Sequence, residues 1–177
     1  MKIFIDPGHG GANTGAIANG LKESEINLDV ALKLGDILKN SGYEIKYSRI
    51  TDINLTLFER AQMANNWHAN YFVSIHCNSA ASRQANGSET FVYKFETPAA
   101  IYGESIQTQL ILQNGLRNRG LREADYTVLT ATKMPAALVE LAFISNPQEA
   151  RLLSSAEFQM HCARGIANGI INYVNEL

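Results

Sequence analysis

The sequence has little charge. Only 18% of its 177 residues are Asp, Glu, Lys or Arg, while 46% are hydrophobic. That balance excludes a disordered chain, which combines high charge with low hydropathy. Neither sign is in surplus: 15 Lys and Arg stand against 17 Asp and Glu, for a net charge of −2. With no basic excess to meet a phosphate backbone or an anionic membrane, nucleic acid is not an expected partner. Cysteine is scarce too. Cys77 and Cys162 could pair, but two are too few for a disulfide scaffold. Long apolar runs are missing. The opening Met1-Lys2-Ile3-Phe4-Ile5-Asp6-Pro7 is far shorter than a signal-peptide core. Ala61 to Ser82 lacks charged residues, yet Asn65, Asn66, His68, Asn70, His76 and Asn78 interrupt it, so no membrane span is expected. There is no internal repeat, low-complexity tract or linker.

What is present reads as one domain over residues 1–177, since domains run to about 150 residues, and a monomer is expected. Short β-rich runs alternate with helical patterns. Ile3 to Ile5 is an apolar run stopped by Asp6-Pro7-Gly8. Ile26, Val30, Leu34, Ile37 and Leu38 recur at helical spacing, with Ser24 as the expected N-cap and Gly42 as the stop. Tyr43 to Arg49 alternates like a strand. Thr56-Leu57-Phe58-Glu59 reads as a capping box opening a helix to about His68. Tyr71 to His76, Glu89 to Phe95, Tyr126 to Ala131 and Ala136 to Phe143 read as further strands. Tyr102, Ile106 and Leu110 mark one more helix, and Phe158, Cys162, Ile166, Ile170 and Tyr173 the last. The alternation predicts an α/β fold: a mostly parallel twisted sheet of about six strands with helices on both faces.

Ligands of such sheets bind beyond the carboxyl ends of the strands. The first strand runs into His9, the third ends at His76, and the last contains Glu140. Glu23 lies where the loop after the first strand meets its helix. Glycines on both sides of His9 leave its imidazole unscreened. Glu140 stands among apolar neighbours of both parities, and a buried carboxylate is costly unless paired, protonated or metal-bound. Burial raises its pKa, which suits a general base near neutral pH. His68, at a helix end, and His161, beside the core-facing Cys162, read as structural. Two His and one Glu suit a tetrahedral zinc with an open position, and a further carboxylate would take the proton of its water. A cysteine hydrolase built on Cys77 is disfavoured, because adjacent strand residues put Cys77 and His76 on opposite faces.

Several strings recur in order along the chain. They are Ile5-Asp6-Pro7-Gly8-His9-Gly10-Gly11, Gly20-Leu21-Lys22-Glu23, Phe72-Val73-Ser74-Ile75-His76-Cys77-Asn78, Gly87-Ser88-Glu89-Thr90, Asn118-Arg119-Gly120, and Met134-Pro135 to Glu140. Together, over about 145 residues, they resemble the zinc-dependent N-acetylmuramoyl-L-alanine amidases, which include bacterial cell-wall amidases and phage endolysins. The resemblance implies one zinc ion per chain held by His9, Glu23 and His76, with Glu140 as the catalytic carboxylate. It favours Glu23 over Glu25 as the ligand. The implied substrate is peptidoglycan at the bacterial cell wall, cut between the lactyl group of N-acetylmuramic acid and L-Ala of the stem peptide. Arg60, Asn78 and Arg119 are candidates to orient ligands or to hold stem-peptide carboxylates. Some relatives carry a helix that plugs the site; the stretch from Phe95 to Pro98 is too short for one. The rival readings are a zinc peptidase acting within the stem peptide and an inert wall-binding module.

Overall fold

The computed structural model describes residues 1–176. Its strands are β1 (Lys2–Pro7), β2 (Ile17–Ala18), β3 (Leu21–Lys22), β4 (Glu44–Tyr47), β5 (Tyr71–Asn78), β6 (Ser88–Val92), β7 (Asn118–Glu123) and β8 (Ala136–Phe143). Its helices are α1 (Glu23–Asn40), α2 (Leu57–Asn66), α3 (Pro98–Asn114), α4 (Thr127–Thr130), α5 (Pro147–Leu153) and α6 (Ala156–Asn175). Six strands form one sheet in the order β4-β1-β5-β8-β6-β7. Every neighbouring pair is parallel except β6 and β8. The α/β expectation holds.

The chain leaves β1 toward β4 on one side and returns through α2 to β5 on the other. The strand order therefore reverses at β1, and a crevice opens beyond the carboxyl ends of β1 and β5. One face of the sheet carries the main core. There Ile3, Ile5, Val73, Ile75 and Val139 pack against Leu34, Ile106, Leu110, Ile166 and Ile170 of the long helices. The other face carries a small core of Phe4, Phe72, Leu138, Ala64, Val128 and Leu129, built with α2 and α4. The short helices leave that face uncovered near the carboxyl ends of the strands, and the polar side chains collect there.

Local chemistry explains the elements. The capping box at α2 is complete: the Glu59 amide donates to Thr56 Oγ1, and the Thr56 amide donates to Glu59 Oε2 at 2.7 Å. Gly42, with φ of +87°, ends the turn after α1.

Three expectations need correction. Ser24 is not the N-cap of α1; that position is Lys22, without a side-chain cap. The first amides are met by loop carbonyls instead, Glu23 donating to Ala16 and Ser24 to Thr14. Residues 126–131 form the single helical turn α4 rather than a strand, closed by the Leu129 and Thr130 amides donating to the Tyr126 carbonyl. The β-branched Thr-Val-Leu-Thr string mimics a strand, but its two apolar side chains both cap the small core. The sixth strand is β7, whose Asn-Arg-Gly-Leu-Arg-Glu sequence lies at a sheet edge and lacks apolar alternation. Cys77 and Cys162 are both buried and unpaired with one another.

Candidate active site

The side chains at the crevice come from separate elements. His9 follows β1, Glu23 opens α1, and His76 sits on β5. The structure brings these three together. Glu23 Oε1 lies 3.0 Å from His76 Nδ1 and 3.2 Å from His9 Nε2. One donor atom from each residue falls within 4.8 Å of the others. Glu25, by contrast, faces solvent and pairs with Lys22 at 3.0 Å.

The outer nitrogen of each imidazole is occupied. His9 Nδ1 meets Asn13 Oδ1 at 3.0 Å, and His76 Nε2 meets Ser74 Oγ at 3.1 Å. Ser74 Oγ in turn donates to Asp6 Oδ2 at 2.8 Å. Such outer partners fix ring orientation and leave the inner nitrogens facing Glu23, where a cation could replace the protons they share with it. Around a tetrahedral zinc, bonds of about 2.0–2.1 Å place ligand atoms about 3.3 Å apart. The two N–O separations are close to that edge and the third lies within 4.8 Å, so the donor set can close on the ion with small side-chain shifts.

Glu23 is held by more than the histidines. Its Oε2 accepts from the Ala16 amide at 2.9 Å, and its Oε1 from the Cys77 amide at 3.2 Å. Burial alone would raise its pKa, but hydrogen bonds from His76 and His9 outweigh it and hold the carboxyl well below the usual range. Glu23 is therefore anionic, as a metal ligand must be. The same hydrogen bond, opposed by burial, raises His9 above its ordinary value.

Two buried arginines shape the His9 loop. Arg60 Nη2 donates to the His9 carbonyl and Nη1 to that of Pro7, both at 2.7 Å. Arg49 donates to the carbonyls of Pro7, Gly8 and Ser24 at 2.7–3.0 Å. This clamp holds His9 at a φ of +60°, a conformation that costs a non-glycine residue about 1–2 kcal/mol. Arg60 is 1% exposed and also pairs with Asp6 at 2.8 Å. It cannot reach a stem-peptide carboxylate, so of its two expected roles only orientation fits. Removing one member of a buried pair leaves a charge stranded. Arg60→Met is expected to lower stability by about 3–5 kcal/mol, read by denaturant unfolding.

Glycine makes room for the rings. A Cβ on Gly8 would fall on the His76 imidazole, and one on Gly15 would sit 2.6 Å from Glu23 Oε2. Gly8→Ala must displace the ring. Misplacement by about 1 Å costs on the order of 100-fold in rate, and a loss of that size in kcat is expected, with the far-UV circular dichroism spectrum retained.

Glu140 lies beside His76 in register, across the β5–β8 pair, and beside Glu89 across the β8–β6 pair. The three share the face carrying the small core. Among the described residues, Glu140 Oε2 is buried without a hydrogen-bond partner. Burial first, then the charges of Glu23 and Glu89, push its pKa well above the ordinary carboxyl range. It borders a cavity of about 370 Å³ with His76, Leu57, Asp125 and Tyr126. A second cavity of about 300 Å³ opens on His9 and His76 toward Asn54 and Leu57. The site thus sets a carboxylate held anionic by two imidazoles beside a carboxyl of raised pKa, a separation that marks acid–base work. Cys77 points into the opposite core, where burial drives its thiol pKa well up, so it is no nucleophile here.

Sequence reasoning passed over Asp6, Ser74 and Glu89 as members of this site. Asp6, at the end of the apolar Ile3-Phe4-Ile5 run, carried the same signal as Glu140; Glu89, between Ser88 and Thr90, did not. Of the remaining candidates, Asn78 donates to Glu89 Oε1, and Arg119 Nε donates to Glu89 Oε2 at 3.1 Å.

Fold and site together define a class: a hydrolytic enzyme of α/β architecture with paired imidazoles and two carboxyls gathered at a sheet switch point. The family is more particular. The model of the N-acetylmuramoyl-L-alanine amidase family matches residues 3–172. The amidase CwlM of Bacillus licheniformis is 39% identical over 178 residues, covering 99% of this chain and 69% of that protein. A sporulation-specific N-acetylmuramoyl-L-alanine amidase of Bacillus subtilis is also 39% identical, over 96% of this chain and 67% of its own length. The catalytic domain of the amidase CwlV from Bacillus (Paenibacillus) polymyxa superposes with a TM-score of 0.94 at 36% identity, covering 98% of each chain. The chain belongs to the N-acetylmuramoyl-L-alanine amidase family.

Proposed function

We propose that this chain hydrolyses the amide between the lactyl group of N-acetylmuramic acid and L-Ala of the stem peptide. One zinc ion is held by His9, Glu23 and His76, and Glu140 carries the proton. The observation behind this reading is the contact of one anionic carboxylate with two imidazoles whose outer nitrogens are already bonded. The bond is the one named in the relatives' own descriptions.

When bound, zinc polarises a carbonyl and makes water acidic enough, near pKa ~7, to be activated at neutral pH. The chain's own residues do the rest. Asn13 and Ser74 hold the imidazoles in one tautomer. Arg60 and Arg49 fix the backbone that carries His9. Glu140 Oε2 takes the proton of the attacking water and returns it to the departing L-Ala nitrogen, which therefore leaves as an amine and not as an amide anion. Burial raises its pKa above the ordinary carboxyl range, which makes the ionised group a stronger base.

The site works openly at the bacterial cell wall. His9 and His76 keep 25% and 15% of their side-chain surface exposed. Only residues 93–97 join β6 to α3, which is too short for a plugging helix.

The test is digestion of purified peptidoglycan by the zinc-loaded protein, with products read by mass spectrometry. Intact glycan strands and free peptides beginning at L-Ala are expected. Cuts inside the peptide would move the bond and make the chain a stem peptidase. No products, with zinc bound, would leave an inert wall-binding module.

A further inference from the structure

Beyond Glu140 the sheet changes sign. Glu89, next to it on β6, accepts from Arg119 Nε at 3.1 Å and is ion-paired with Arg122, whose Nε lies 2.8 Å from the same Oε2; both arginines belong to the edge strand β7. Glu89 Oε1 is taken by Asn78. Two guanidiniums therefore share one carboxylate, leaving one positive charge in excess. Each turns its inner Nε to that contact, and no Nη atom of either pairs with Glu89. Among the described residues, Arg119 Nη2 and both Nη atoms of Arg122 have no hydrogen-bond partner; Arg119 Nη1 reaches the Asn86 carbonyl at 3.3 Å. Arg119 is further locked over the Phe143 ring at 4.9 Å. Arg122 keeps half of its side chain exposed. The register places Arg122 beside Phe91 and so on the same face as Glu140.

We infer that the Arg119–Arg122 pair is a carboxylate-binding subsite that sets which way the substrate lies across the sheet. This rests on the amidase reading above. An outward-facing arginine fork is the group that recognises a carboxylate bidentately. Near the scissile amide the glycan side offers neutral sugar hydroxyls, whereas the stem peptide carries free carboxylates. The leaving peptide therefore runs from Glu140 over β6 toward β7, and the glycan lies on the side of Asn54 and Leu57. The reach agrees. Strands are about 4.8 Å apart, so the second strand from Glu140 is about 10 Å away. At about 3.3–3.6 Å per extended residue, that distance falls two to three residues beyond the cut.

The experiment compares two muramoyl peptides, identical except that the stem-peptide carboxylates within three residues of L-Ala are free in one and amidated in the other. The parent enzyme is expected to prefer the free acid by about tenfold in kcat/KM, chiefly through KM. Arg122→Gln should collapse that ratio toward one, while Arg122→Lys, which keeps the charge but loses the fork, should retain part of it. A parent that cuts both substrates equally well overturns the subsite and leaves the amidase reading standing, as does an unchanged ratio in Arg122→Gln. A parent that cuts neither overturns both. If Arg122→Gln does not fold, the parent ratio and Arg122→Lys still decide.

Discussion

Glu140→Gln is expected to lose turnover by about 10²–10⁴-fold, the range assigned to a positioned general acid–base. Its zinc content should equal the parent's, because Glu140 stands beside the His9–Glu23–His76 set and not within it. The same substitution is expected to stabilise the metal-free protein near neutral pH. The Glu140 carboxyl is raised in the fold by burial and by its acidic neighbours. The folded chain therefore keeps a proton over a pH range in which the unfolded chain has released it. Stability is full below the ordinary glutamate value of about 4.3 and falls as pH rises from there to the folded pKa. Glutamine cannot ionise and escapes that fall. Melting temperatures of the chelator-treated proteins, followed from about pH 4 to pH 8, should fall more steeply for the parent than for the variant. Parent-like turnover in Glu140→Gln would remove the residue from the mechanism. Loss of zinc would make it a ligand instead.

Glu23→Ala should abolish both metal retention and activity. Glu23 is the hub of the site: both imidazoles and the amides of Ala16 and Cys77 converge on its carboxylate. Losing an outer partner of a metal-bound histidine costs about 10–100-fold in metal affinity, so losing a ligand should cost more. Ser74→Ala, which removes only the outer partner of His76, supplies the graded comparison. Competition with a chelator of known affinity reads both. Zinc bound as tightly in Glu23→Ala as in the parent would eliminate this donor set. Stability should fall as well, because each buried amide left without an acceptor costs about 1–3 kcal/mol.

Parts of the site were legible in the residues. His9 was flagged by its flanking glycines, and Glu140 by a charge inside an apolar run. The sheet and its long helices followed from periodicity, because Ile3 to Ile5, Val73 with Ile75, and the α1 and α6 stripes bury continuous apolar faces. Residues 126–131 misled because one helical turn is too short to show a 3.6-residue period. Strand β7 was missed because none of its residues is fully buried at the sheet edge, so neither face demands an apolar row.

What the sequence determined alone was therefore the set of elements with strong periodicity, the family resemblance, and the identity of the chemical groups at the carboxyl ends of strands. Tertiary structure decided how those groups meet. His9, Glu23 and His76 lie far apart along the chain, and only the reversal of strand order at β1 puts them within 4.8 Å. It also decided that Arg60 is an internal clamp, while Arg119 and Arg122 share Glu89 at the sheet edge. Sequence spacing encodes neighbours along a helix or a strand. Contacts between strands depend on register and on which side each crossover returns, and no local string of residues records either.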